Sequence, residues 1–249
     1  MSEINFITEE RARELIESEV ESNTDKDFII DSSGFANHSI DTARIAYNIA
    51  NIILEKHPSL KNLIDPEIIR AAGYMHDFGK VYGGHEYHEV GAAHLILTEG
   101  DKNLGLINGG LKSEREGVLR EMASIIPPDL ALYEELGGSN FPDGALYKDH
   151  IGLFIEKVEQ LRRDLSKTDE PLSIEDFALP YTLNQQITLY ADLTNLNGES
   201  IPIEQRLAEF EQRYSDPQSK YYNPILSGLT KVIKPRILVV GNTVESLMK

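Results

Sequence analysis

Residues 71–80 read Ala-Ala-Gly-Tyr-Met-His-Asp-Phe-Gly-Lys, setting an imidazole and a carboxylate side by side at the end of an apolar run. Together, His76 and Asp77 suit a divalent ion such as Mn, Fe, Zn, Ni, Co or Mg. The pair is a poor choice for packing alone, because an ionised Asp taken out of water needs a partner. Two distant residues offer matching donors. His38 follows Phe35-Ala36-Asn37, and Asp192 lies within Leu189-Tyr190-Ala191-Asp192-Leu193, where a lone carboxylate is costly. A metal held jointly by His38, His76, Asp77 and Asp192 accounts for all four. Taken singly, each has a duller reading: His38 as a helix-start residue, Asp192 as the partner of an arginine elsewhere.

The elements that must carry these residues are helical almost throughout. Residues 8–21 present Ala12, Leu15, Ile16 and Val20 as one stripe behind Thr8 as N-cap. From Ser39 to Lys56, apolar residues recur at helical spacing, with His38 just before them and Pro58 ending the run. Asp65-Pro66-Glu67 is a helix start, and that helix delivers His76 and Asp77 near its end. Gly79, Gly83 and Gly84 open a loop, and a further helix runs from His85 or Glu86 to Leu97. Ser113 to Glu116 has the form of a capping box leading to Ile126, where Pro127-Pro128 breaks the helix.

Residues 134–149 read as an irregular insert, and Ile151 to Leu165 as an amphipathic helix. Thr182 and Gln185 form a second capping box, which opens the helix bearing Asp192. Later starts stand at Ile201-Pro202, Asp216-Pro217 and Asn223-Pro224, and residues 236–240, Arg-Ile-Leu-Val-Val, suggest a short strand. The expected fold is all-α: a helical domain over residues 1–200, with its core at about 30–200, and a C-terminal extension, 201–249, packed on it.

Bulk composition narrows the function. The chain has 249 residues, a net charge of −17 and no cysteine. Disulfides, thiolate metal sites and cysteine nucleophiles are thereby excluded, and a reducing cytoplasm is the expected setting. Scattered basic residues on so acidic a chain argue against extended nucleic-acid binding. No apolar run is long enough to span a bilayer and no signal peptide is evident, so a membrane role is not expected. A small anionic substrate remains compatible, since a bound cation reverses the local field. A homo-oligomer is left open.

His38, the Ala-Ala-x-x-x-His-Asp-Phe-Gly-Lys block and Tyr190-Ala191-Asp192 together resemble the HD-domain superfamily of metal-dependent phosphohydrolases, over about residues 30–200. The resemblance implies an all-α bundle in which His38, His76, Asp77 and Asp192 converge on a divalent metal. His88-Glu89-Val90-Gly91-Ala92 is similar to a His-x-x-Gly-Ala element of many such proteins, whose histidine serves a second metal or the scissile phosphate. His85 lies three residues earlier, so on a helix both rings could face one site. Either His85 or His88 is a candidate general acid, with Lys80 as the cation toward phosphate and Asp77 anchoring metal and water.

There is one departure from the two-metal pattern. Ser124-Ile125-Ile126-Pro127-Pro128-Asp129 carries no histidine where two-metal relatives supply one, and His150 is a weak substitute. A single metal is therefore expected. The reading is a phosphomonoesterase or phosphodiesterase acting on a small phosphorylated molecule such as a nucleotide. The alternatives are a regulatory HD protein without turnover and, less favoured, an HD-type di-iron oxygenase.

Overall fold

The structure, a computed structural model, describes residues 3–22, 32–83, 88–126, 182–219, 222 and 224–249. The irregular insert at 134–149, the helix at 151–165, the Pro127-Pro128 break, Asn223, His85 and His150 lie outside the described residues. The order is β1 (Asn5–Phe6), α1 (Glu9–Ser22), α2 (Ser32–Lys56), a 3-10 turn (Pro58–Leu60), α3 (Pro66–Met75), α4 (Lys80–Gly83), α5 (His88–Glu99), β2 (Ile107–Asn108) and α6 (Lys112–Ile125). It continues with α7 (Leu183–Thr194), β3 (Asn195–Leu196), β4 (Glu199–Ser200), α8 (Ile203–Ser215) and α9 (Pro224–Met248). The all-α expectation holds. The strands are two-residue ladders, β1 antiparallel to β2 and β3 antiparallel to β4.

The longest early helix, α2, organises the rest by serving two apolar clusters with its two halves. Ala36, Ile40 and Ala43 join Leu15 and Ile16 of α1, Met75 of α3, Ile96 of α5 and Met122 of α6. Farther along, Ile45, Ile49 and Ile53 join Ile69 of α3, Ile187 and Ala191 of α7, Leu207 of α8 and Val240 and Val244 of α9. Helix α3 contributes to both clusters, so α2 and α3 form a rigid pair against which α7 packs. All four candidate donors come from these three helices or from the turn directly after α3.

Local chemistry explains where the helices begin. Asp65 Oδ1 accepts hydrogen bonds from the backbone N–H groups of Glu67 (3.0 Å) and Ile68 (3.2 Å), and Pro66 follows at the first helical position. At α7 the expected reciprocal box forms: Gln185 N–H donates to Thr182 Oγ1 at 3.2 Å, and Thr182 N–H donates to Gln185 Oε1 at 3.1 Å.

Several expectations need correction. His38 is not a helix-start residue but stands inside α2, because the helix already runs from Ser32 and buries Ala36 on the same apolar face. The start of α6 lies before Ser113, at Leu111. Only the Glu114 half of a capping box forms there, with Leu111 N–H donating to Glu114 Oε2 at 2.7 Å. The loop expected after Gly79 contains the single turn α4, and Asp216-Pro217 closes α8 in a turn rather than opening a helix.

Residues 236–240 are helical, within α9, and not a strand. Ile237, Val240 and Val244 fall on one helical face and are buried against Ile203 and Leu207, so packing overrides the β-propensity of Ile-Leu-Val-Val. No helix among the described residues is long and apolar enough to cross a membrane.

Candidate metal centre

His76 caps the C-terminal end of α3 and is 6% exposed. Its Nδ1 lies 2.8 Å from the Gly73 carbonyl oxygen, which can only accept, so Nδ1 carries the proton. The other ring nitrogen of the neutral imidazole is then a bare lone pair. Nε2 sits 3.2 Å from Asp192 Oδ1 and 3.6 Å from Asp77 Oδ1, yet makes no well-directed hydrogen bond. A buried lone pair aimed at two carboxylates is repulsive unless a proton or a metal cation lies between them.

His38 reaches the same place from α2. Its Nε2 is 3.1 Å from Asp192 Oδ1 and 3.7 Å from Asp77 Oδ2, and its ring centroid is 5.3 Å from that of His76. One donor atom each from His38, His76 and Asp192 falls within 4.8 Å of the others, the spacing expected of ligands around one ion. The structure thus brings together residues from α2, the end of α3 and α7 that are far apart in the chain.

Asp77 borders this group but is engaged differently from the other three. It is 3% exposed, with Lys80 Nζ 2.5 Å from Oδ2 and His88 Nε2 3.1 Å from Oδ1. Lys80 is therefore held by Asp77, where the sequence suggested a cation directed at substrate. His88, at the first turn of α5, lies against Asp77.

A close approach of backbones makes this possible. A Cβ on Gly79 would lie 1.9 Å from the His88 carbonyl oxygen, so only glycine lets the start of α5 rest against the turn bearing Asp77.

The electrostatics follow from this crowding. Burial works against charge on His76, but Asp77 and Asp192 outweigh it and push its pKa from 6.5 up to about 9. Burial would raise the Asp192 carboxyl, yet the His76 and His38 imidazoles hold it well below the usual carboxylate range. Burial acts on Asp77 in the same sense and is likewise overcome, by Lys80 first and then His76 and His88. The two carboxylates thus draw positive charge to the site, here from Lys80 and a protonated His76. Its mixed imidazole and carboxylate donors fit a first-row divalent ion, with Asp77 as the fourth donor if it exchanges its present partners.

Sequence reasoning missed one neighbour. Asn195, the first residue after α7, lies 2% exposed against His38 and Thr42. The Asn197-Gly198 dipeptide just beyond it is a hairpin signal that could have drawn attention to this corner.

Comparison with known proteins agrees with this geometry. The family model for the HD domain matches residues 35–118, a span holding His38, His76, Asp77, Lys80 and His88. No curated protein and no solved structure matches the chain. The matched block is folded so that its His-Asp pair meets His38 and, from beyond the match, Asp192, and the match at residues 35–118 supports membership of the HD-domain superfamily.

Proposed function

We propose that the protein is a metal-dependent phosphohydrolase acting on a small phosphorylated substrate such as a nucleotide. HD domains are mostly metal-dependent hydrolases, and this chain retains a cluster that could hold the ion. The observation that carries the reading is the buried His76 Nε2, which makes no well-directed hydrogen bond, faces two carboxylates and lies beside His38. His38, His76 and Asp192 would hold one divalent ion, with Asp77 alongside. When bound, such an ion polarises a phosphoryl oxygen and lowers the pKa of its water from about 15.7 toward 7.

The remaining residues have separable tasks. Asp77 Oδ1 lies 3.1 Å from His88 Nε2, and the His88 side chain is 16% exposed. An imidazole so placed can protonate the leaving oxygen of a phosphate ester. Lys80, held against Asp77 Oδ2, places a positive charge at the site that would offset charge on the equatorial oxygens of a phosphoryl group.

Metal analysis of the purified protein, paired with a phosphate-release screen over nucleoside mono-, di- and triphosphates, tests the proposal. Expected are about one equivalent of divalent metal and phosphate release that His76→Ala and Asp77→Ala abolish. Bound metal with no release from any substrate would favour a regulatory HD protein and overturn the hydrolase reading.

A further inference from the structure

Away from the donor cluster, a cavity opens where the start of α1 meets α2 and α3. Among the described residues it is lined by Thr8, Glu9, Arg44, Tyr47, Arg70 and Tyr74, and its volume is about 240 Å³. From His38 to Tyr47 is about two and a half turns of α2, so the cavity and the cluster use opposite faces of that helix.

Tyr74 is the buried member of this lining. It is 3% exposed, and its hydroxyl has no hydrogen-bond partner among the described residues. The oxygen is not sealed in the core, as the unpartnered hydroxyls of Ser39 and Thr188 are, so it reaches the cavity. Burial pushes the phenol's pKa above its ordinary value, so the hydroxyl keeps its proton and has a hydrogen bond to give.

Two guanidiniums stand beside it. Arg70 lies over the Tyr47 ring, 4.9 Å from the centroid, and pairs with Glu67, while Arg44 pairs with Asp41 at 2.5 Å. Each is steadied by the carboxylate three residues before it, and neither Glu67 nor Asp41 lines the cavity. Thr8 Oγ1 caps α1 by accepting from Arg11 N–H at 3.3 Å, so the positive end of a 14-residue helix adds to the same field. Glu9 is the acidic exception, and it is exposed. The charged lining is thus two cations and one anion on a chain of net charge −17, a local balance opposite to the global one.

We propose that this cavity binds a small organic carboxylate, its oxygens on the Tyr74 hydroxyl and the Arg44 and Arg70 guanidiniums and its apolar body against the Tyr47 and Tyr74 rings. Size argues for such a body. The cavity falls short of the roughly 300–1,000 Å³ that drug-sized ligands occupy. At about 30 Å³ per water it still has room for roughly eight, more than a bare inorganic anion fills. The site is independent of the metal centre and of the hydrolase reading.

Titration of the isotope-labelled full-length protein with benzoate, followed through backbone amide shifts, tests the proposal. Saturable shifts should gather at the first turn of α1 and around Arg44, Arg70 and Tyr74. Tyr74→Phe keeps the ring and removes the donor, and should weaken binding by about 10- to 100-fold, the range of a hydrogen bond to a charged group. Glu9→Gln removes the like charge and should tighten binding.

Shifts confined to the surroundings of His38 and Asp192 would put benzoate on the metal centre and overturn the proposal, as would the absence of saturable shifts or full affinity in Tyr74→Phe. An unchanged or weaker affinity in Glu9→Gln sinks it even if Tyr74→Phe fails to fold. Benzylamine has the same ring with the opposite charge, and tighter binding of it at the same amides would make Glu9 the anchor of a cation site instead. Inorganic phosphate that binds as tightly as benzoate would show that the apolar body contributes nothing, and the assignment to a carboxylate would fall.

Discussion

His88 Nε2 rests 3.1 Å from one oxygen of Asp77 while Lys80 Nζ holds the other at 2.5 Å. The carboxylate is shared between a helix that begins at His88 and a turn that ends at Lys80, so Asp77 aligns two groups as well as bordering the donor cluster. His88→Gln should then cut turnover by about 100- to 10,000-fold, the range of a lost general acid, with metal content unchanged. Phosphate-release kinetics beside metal analysis check this. Loss of metal together with activity would make His88 a ligand instead.

The raised pKa of His76 predicts how metal uptake depends on pH. In the metal-free protein Nε2 holds a proton up to about pH 9, and a metal must displace it. Metal affinity should fall as pH drops below 9, by up to about tenfold per unit while one proton is displaced. Calorimetry in buffers of different ionisation enthalpy reads the released proton directly.

The same shift bears on stability. A group whose folded pKa is raised, here from 6.5 to about 9, contributes stability that is complete below 6.5 and lost as pH rises through 9. The depressed carboxyls of Asp77 and Asp192 act oppositely: their contribution is present above the ordinary carboxylate range and is lost in acid. The melting temperature of the metal-free protein should therefore decline between pH 6.5 and 9. Saturation with metal should flatten that decline.

Gly79→Ala places a methyl group 1.9 Å from the His88 carbonyl oxygen and 2.7 Å from the Ala92 nitrogen. Neither is a flexible side chain, so α5 must move away from the turn. Urea denaturation should show a loss of about 1–3 kcal/mol, in line with overpacked sites, and turnover should fall because His88 leaves Asp77. A variant of wild-type stability and turnover would show that the backbones are not in contact in solution.

Asp65→Ala removes the cap of α3 while leaving every donor of the site in place. The expected cost is about 1 kcal/mol by chemical denaturation, with Mn2+ affinity at the wild-type level. A large loss of affinity would mean that α3 frays far enough to displace His76.

The cluster of His38, His76 and Asp192 was legible in the sequence because each stands in or at the end of a periodic apolar helix, where a His or Asp is out of place without a partner. The caps at Asp65 and Thr182 were legible for a related reason, since their chemistry is local. What depended on distant contacts was not. Whether Ile237, Val240 and Val244 lie on a strand or a helix is decided by Ile203 and Leu207, which no local window contains. The engagement of Lys80 by Asp77 and the extension of α2 past His38 were likewise settled by neighbours in space. Two-residue ladders such as β1 with β2 are too short for any periodicity to reveal.

His38 and Asp192 meet across a sequence separation of 154 residues. Closing so long a loop costs only slightly more entropy than closing one half its length, so the folded chain tolerates the distance. The order of events on the ribosome does not. A growing chain that has released α1 through α6 already carries His38, His76 and Asp77, but it lacks the third member of the tight cluster, Asp192. If the cluster holds a metal as proposed, its three donors can meet only late in synthesis. An ion held by His38, His76 and Asp192 would then report that α7 has docked on α2 and α3.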